Sequence, residues 1–118
     1  MSKGWIAVDL DGTLAQYRGS SYNRLVIGPP IEPMLARVLQ WLEDDVEVRI
    51  FTARVNPLDN SPEDIAKITD LIEAWCLLHI GVVLPITCMK DFRCVAIWDD
   101  RAVRVIHGIG DPCCDYEA

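Results

Sequence analysis

Basic side chains are scarce in this sequence. Eleven Lys and Arg stand against eighteen Asp and Glu in 118 residues, a net charge of −7 with both histidines neutral. A non-specific nucleic-acid binder carries a basic face, so this balance speaks against one. Long apolar runs are lacking too, and those present are too short and interrupted to span a bilayer. Lys3 is followed by only a few apolar residues before Asp9, which is not the pattern of an export segment. There is no CxxC pair among the five cysteines. Cys76, Cys88 and Cys94 read as buried free thiols, and the adjacent Cys113 and Cys114, only half a zinc site, as part of an exposed tail. Repeats and low-complexity tracts are absent. With 51% hydrophobic residues the chain is far from a disordered composition. The expectation is one soluble, cytoplasmic domain, residues 1–118, with a core of its own and no membrane partner.

What is present is an alternation of two periods. Residues 4–9 form a continuous apolar run expected to be a buried strand. Residues 15–32, with Gly19, Ser20, Ser21, Gly28, Pro29 and Pro30, read as a loop or small hairpin flap. Pro33 suits a first helical turn, and Leu35, Val38, Leu39 and Leu42 recur at helical spacing up to Asp44. A second strand is expected from Val46 to Phe51. Ser61-Pro62-Glu63-Asp64 then reads as an N-cap, a Pro at the first helical position and an acidic first turn. Ile65, Ile68, Ile72, Trp75 and His79 mark one face of the following helix, with Gly81 as its stop. Further strands are expected at Val82–Ile86, Cys94–Trp98 and Val103–His107, and a tail over residues 108–118.

Strands alternating with amphipathic helices predict an α/β fold: a three-layer, Rossmann-like parallel sheet of about five strands flanked by helices. Ligands of such sheets bind at the carboxyl ends of the strands. Asp9, Thr52 and the pair Asp99-Asp100 each follow the last apolar residue of a different strand, so all open onto one edge of the sheet. Carboxylates are avoided at such buried exits unless they are paired or coordinate a metal.

Four stretches in this order resemble the motifs of the haloacid dehalogenase superfamily, most of whose members are magnesium-dependent phosphatases. They are Asp9-Leu-Asp11-Gly12-Thr13-Leu14, Thr52 in Ile50-Phe51-Thr52-Ala53-Arg54, a lysine before the next-to-last strand for which Lys90 is the candidate, and Val95-Ala96-Ile97-Trp98-Asp99-Asp100. The resemblance implies Asp9 as nucleophile and Asp11 as general acid, with the Asp11 backbone carbonyl also a metal ligand. It implies Thr52 and Lys90 on the phosphoryl oxygens, Asp99 as direct metal ligand, and Asp100 binding through water or positioning Lys90. Ala53, Arg54 and Arg101 adjoin these motifs as candidate substrate contacts. The implied cofactor is Mg²⁺, which prefers the oxygen ligands offered by Asp9, Asp11, Asp99 and Asp100. A cation is needed on physical grounds, because two like charges about 4 Å apart repel by roughly 4 kcal/mol at an effective dielectric near 20.

Many superfamily members carry a cap domain inserted after the first motif or between the second and third. Here Leu14–Pro33 has room only for a flap, and Arg54–Lys90 is filled by one helix and one strand, so a capless enzyme is expected. Tyr17, Arg18, Tyr22 and Arg24 of the flap are then the candidates for touching the leaving group. Ile97-Trp98-Asp99-Asp100-Arg101 is similar to the fourth motif in the phosphatase half of bacteriophage polynucleotide kinase–phosphatases. That implies a phosphorylated small molecule, nucleotide or nucleic-acid 3′-phosphate end as substrate. A homo-oligomer, in which a neighbouring subunit covers the site, stays open. So does the alternative function, a catalytically weak phosphate- or metal-binding module with a regulatory role. His79, on a helical apolar stripe, and His107 are read as structural.

Overall fold

A computed structural model describes residues 3–17 and 23–114 of the chain. Four strands form one parallel sheet: β1 (Trp5–Asp9), β2 (Glu47–Phe51), β3 (Ile86–Thr87) and β4 (Cys94–Trp98), in the order β3-β2-β1-β4. Two helices complete it, α1 (Glu32–Glu43) between β1 and β2 and α2 (Pro62–His79) between β2 and β3. Among the described residues no helix is long and apolar enough to cross a membrane.

The α/β class and the parallel sheet are as expected, but among the described residues there are four strands rather than five. The apolar stretch Val103–His107 lies beside no other strand. Val105 instead pairs with Pro112 across a local antiparallel turn, closed by bonds from Ile106 N to Asp111 O and from Cys113 N to Arg104 O, both 2.8 Å. Much of the expected tail therefore belongs to this turn. The third strand is also shorter and later than its apolar run, since only Ile86 and Thr87 reach β2.

The layers differ as well. The steps β1→β2 and β2→β3 run the same way across the sheet, and right-handed crossovers then place α1 and α2 on one face. One cluster accordingly joins Met34, Leu35 and Val38 of α1 and Ile68, Ile72, Trp75 and Cys76 of α2 to Val8, Val48 and Ile50 of the sheet. Fully burying such a side chain contributes about 1.5–3 kcal/mol, so this shared core is what holds the helices down. Among the described residues the opposite face has no helix, because residues 88–93 join β3 to β4 without one. Polar side chains cover part of it, while Val95 and Ile97 of β4 stay exposed. Trp5, whose side chain alternates away from Val8, is buried under the Arg49 guanidinium, 4.4 Å from its ring centroid, and donates its indole N–H to Asp91 at 2.9 Å. The fold is thus two layers, not the three that the element alternation predicts.

The helix ends follow local chemistry. Ser61 Oγ accepts from Asp64 N at 3.2 Å and caps α2. Gly81, at φ +95°, ends it with its N–H on Cys76 O. On α1 the expected Leu39 is exposed and Met34 is buried in its stead. His79 packs against Trp75, ring centroids 4.7 Å apart, a structural place as expected. All five cysteines are free: Cys76 is buried, Cys88 and Cys94 partly so, and Cys113 and Cys114 exposed. After β1 the chain is fastened to the start of α1 by an Ala15–Pro30 bridge and a Gln16 N to Pro29 O bond. Its residues Arg18 and Tyr22 lie outside the described residues.

Candidate active site

Strand β1 stops at Asp9 because the chain must turn. Gly12, at φ +85°, supplies a backbone conformation that L side chains rarely adopt, and Leu14 N and Ala15 N fold back onto Leu10 O. This turn carries the first motif over the carboxyl end of the sheet. Gly12 has a second role, since a Cβ there would sit 2.6 Å from Asp100 Oδ2. The absent side chain is what lets Asp100 close on the turn. Thr13 makes that closure specific: its hydroxyl accepts from Asp100 N at 3.1 Å and lies 3.3 Å from Asp9 Oδ2, to which it can donate.

Asp9, Asp99 and Asp100 thereby converge. One carboxylate oxygen from each lies within 4.8 Å of the others. Sequence reasoning placed these residues at one edge of the sheet; adjacency of β1 and β4 brings their side chains together. Asp99 is further held by the Arg101 backbone N–H on its Oδ1, 2.7 Å. Burial, then the Asp99 charge, then a hydrogen bond to Asp100 and its charge push the Asp9 carboxyl up to about 7, against the lowering effect of the Thr13 hydroxyl. A cation beside the Asp9 carboxyl would favour its charged form and oppose this shift.

The other acid of the first motif has a different partner. Asp11 is gripped through both oxygens by Arg54, Nε to Oδ2 at 2.8 Å and Nη2 to Oδ1 at 2.7 Å. This is the planar fork that guanidinium and carboxylate favour. The Asp11 side chain therefore belongs to an ion pair rather than to the three-carboxylate group. Arg54 sits on a single 3-10 turn, Ala53–Val55, directly after β2, and is buried. Its Nη1 reaches the backbone oxygens of Arg24 (3.0 Å) and Asn23 (3.4 Å), fastening the returning limb of the flap to the site. Thr52, also buried, accepts the Arg54 backbone N–H on its hydroxyl at 3.2 Å.

These groups line a cleft of about 480 Å³, within the range of small-molecule sites. Asp9, Asp11, Thr52, Ala53, Arg54, Asp99, Asp100 and Arg101 all contribute to its wall, as do Tyr17 and Arg24 of the flap. Lys90 is exposed and is not among the lining residues of this cleft. Sequence reasoning passed over Asn56, Asn60 and Cys88, which also line the cleft. The two asparagines lie in the polar loop before α2, where their side chains read only as turn formers. Comparisons with protein-family models, curated proteins and solved structures found no match.

Proposed function

We propose that this protein is a Mg²⁺-dependent phosphomonoester hydrolase of the haloacid dehalogenase type, with Asp9 as its nucleophile. The observation that carries the reading is the meeting of Asp9, Asp99 and Asp100 oxygens within 4.8 Å, in one cleft with Thr52 and Arg54. A compact, all-oxygen donor set fits a hard cation such as Mg²⁺ better than zinc. Asp9, Asp99 and Asp100 would hold it, with the Asp11 backbone carbonyl as the further ligand that the resemblance implies. Bound there, it supplies the positive charge that lets an anionic nucleophile meet an anionic phosphate.

The chain's own groups then have distinct tasks. An Asp9 oxygen attacks phosphorus in line, the ester P–O bond breaks, and Asp11 gives its proton to the departing alcohol oxygen. In the second step Asp11 takes a proton from water, the water oxygen attacks phosphorus, and the bond to Asp9 breaks to release phosphate. Arg54 occupies both oxygens of Asp11, so delivery of the proton requires the fork to release one of them. Thr52 accepts from Arg54 N, which leaves its hydroxyl proton for a phosphoryl oxygen.

Hydrolysis of an aryl phosphate is expected to require Mg²⁺ and to vanish in Asp9→Asn; turnover that survives this substitution refutes the proposal. A panel of nucleotides, sugar phosphates and a 3′-phosphorylated oligonucleotide then ranks substrates. A second reading, a phosphate-binding module without useful turnover, is favoured by the closed Asp11–Arg54 fork. A beryllium fluoride adduct on Asp9 in a protein that hydrolyses none of the panel selects it.

A further inference from the structure

We propose that Arg24 is the cleft's contact for a second anionic group on the ligand, and that Asn60 is the positioning residue that aims it. The inference rests on the phosphate-binding cleft described above and names the class of molecule it takes: a phosphomonoester whose remainder carries another phosphate or carboxylate.

The inner cation of the cleft is already committed. Arg54 spends Nε and Nη2 on Asp11 and Nη1 on two backbone carbonyls. Arg24 stands one layer further out. Its backbone oxygen accepts from Arg54, which fixes its distance from the reacting centre, while its side chain lines the cleft and is 46% exposed. The guanidinium is nevertheless not free to wander. Nη1 donates to Asn60 Oδ1 at 2.8 Å and lies 3.7 Å from Asp64 Oδ2.

Asn60 holds that guanidinium from a fixed base. Its amide nitrogen donates to Arg54 O at 3.0 Å and to Asn56 O at 3.1 Å, so the carboxamide is engaged at both ends. An aspartate here would lack the donor that ties the loop, and an alanine would lack both functions. The result is a braced arginine: a neutral carboxamide orients the cation without neutralising it, and among the described residues one carboxylate, Asp64 at the longer distance of 3.7 Å, competes. A surface arginine needed only for solubility requires no such brace, because exposed pairs contribute little to stability. In a chain of net charge −7, an oriented guanidinium in the wall of the cleft supplies a local field that an anion can use.

The test is a binding measurement that needs no turnover. Calorimetric titrations in Mg²⁺ buffer compare phenyl phosphate with its ring-carboxylated and ring-phosphorylated analogues, each as its non-hydrolysable phosphonate, using the unsubstituted full chain so that Asp9 stays in place and nothing is consumed. The doubly anionic ligands are expected to bind about fivefold more tightly, as one charge-assisted contact allows. Arg24→Ala abolishes that preference while the affinity for phenyl phosphate stays within about twofold, Asn60→Ala abolishes the preference as well, and the double variant loses no more of the preference than Arg24→Ala alone, because Asn60 acts on the second anion through Arg24. Equal affinities in the parent protein, no binding of any ligand, a preference that survives Arg24→Ala, or further loss in the double variant overturns the inference. If only the carboxylated or only the phosphorylated analogue is preferred, that identifies the second group. An Asp9-independent hydrolysis would sink the phosphatase reading and leave this binding result standing.

Discussion

Replacing Asp9 by asparagine is expected to make the cation-free protein more stable, although the substitution removes the proposed nucleophile. The reason is electrostatic. Asp9 shares a site with Asp99 and Asp100, one oxygen of each within 4.8 Å. Two unit charges at that separation repel by roughly 3 kcal/mol at an effective dielectric near 20. The raised pKa, set first by burial and then by these same charges, gives the combined figure. A carboxyl moved from 3.8 to about 7 would carry ~4 kcal/mol if sealed from water, and Asp9 is only partly buried, so about half, ~2 kcal/mol, is expected. The sign follows from proton binding. Below pH 4 both folded and unfolded chains hold the proton, and Asp9 costs nothing. Between pH 4 and 7 the unfolded chain has released it and the folded chain has not, so stability declines as pH rises, and above pH 7 the full penalty is present. Asn keeps an oxygen that can accept from Thr13 and has no charge to lose. Urea melts in a chelating buffer should therefore show the variant and the wild type alike at pH 4, and the variant ~2 kcal/mol more stable at pH 8, a rise of about 8 °C in Tm. Adding Mg²⁺ at a hundred times its Kd should then restore ~2.7 kcal/mol to the wild type and much less to the variant. A variant less stable than wild type at pH 8 without cation would show that these carboxylates do not oppose one another.

Three further outcomes follow from particular contacts. Arg54→Ala leaves the Asp11 carboxylate, 18% exposed in its side chain, without its fork and frees the Asn23 and Arg24 carbonyls; a loss of ~2–3 kcal/mol in urea unfolding is expected, and Arg54→Lys should recover less than half of it, since an ammonium cannot match both oxygens. Gly12→Ala places a Cβ 2.6 Å from Asp100 Oδ2 at φ +85°, so a cost of ~1–3 kcal/mol is expected, together with loss of the Mg²⁺-dependent rise in Tm. Ser61→Ala removes the acceptor of Asp64 N and should cost about 1 kcal/mol, without changing the phosphate affinity of the cleft.

How much of this was legible in the chain depends on how local each feature is. Strand β1, α1, β2, α2 and β4 were placed within a few residues, because apolar periodicity, the Ser61 cap and the Gly81 stop act over one or two turns of chain. The juxtaposition of Asp9 with Asp99 and Asp100 was also foreseeable, since parallel strands deliver their carboxyl ends to one edge. The fork between Arg54 and Asp11 was not. The partners are 43 residues apart, and nothing near either one says that the 3-10 turn after β2 will aim the guanidinium inward. Lys90 is a comparable case: chain order puts it before β4, but position in the chain does not fix where a loop side chain points.

By itself the sequence determined where regular structure starts and stops and which oxygen-bearing residues end up at the strand tips, because those depend on short-range sterics, capping and the alternation of apolar positions. Tertiary structure alone decided that both helices share one face, that Val103–His107 curls back on its own chain instead of joining the sheet, and that Asn60 braces Arg24. Those outcomes depend on which distant surfaces meet, and burial of the whole core selects among arrangements that local preference leaves equal.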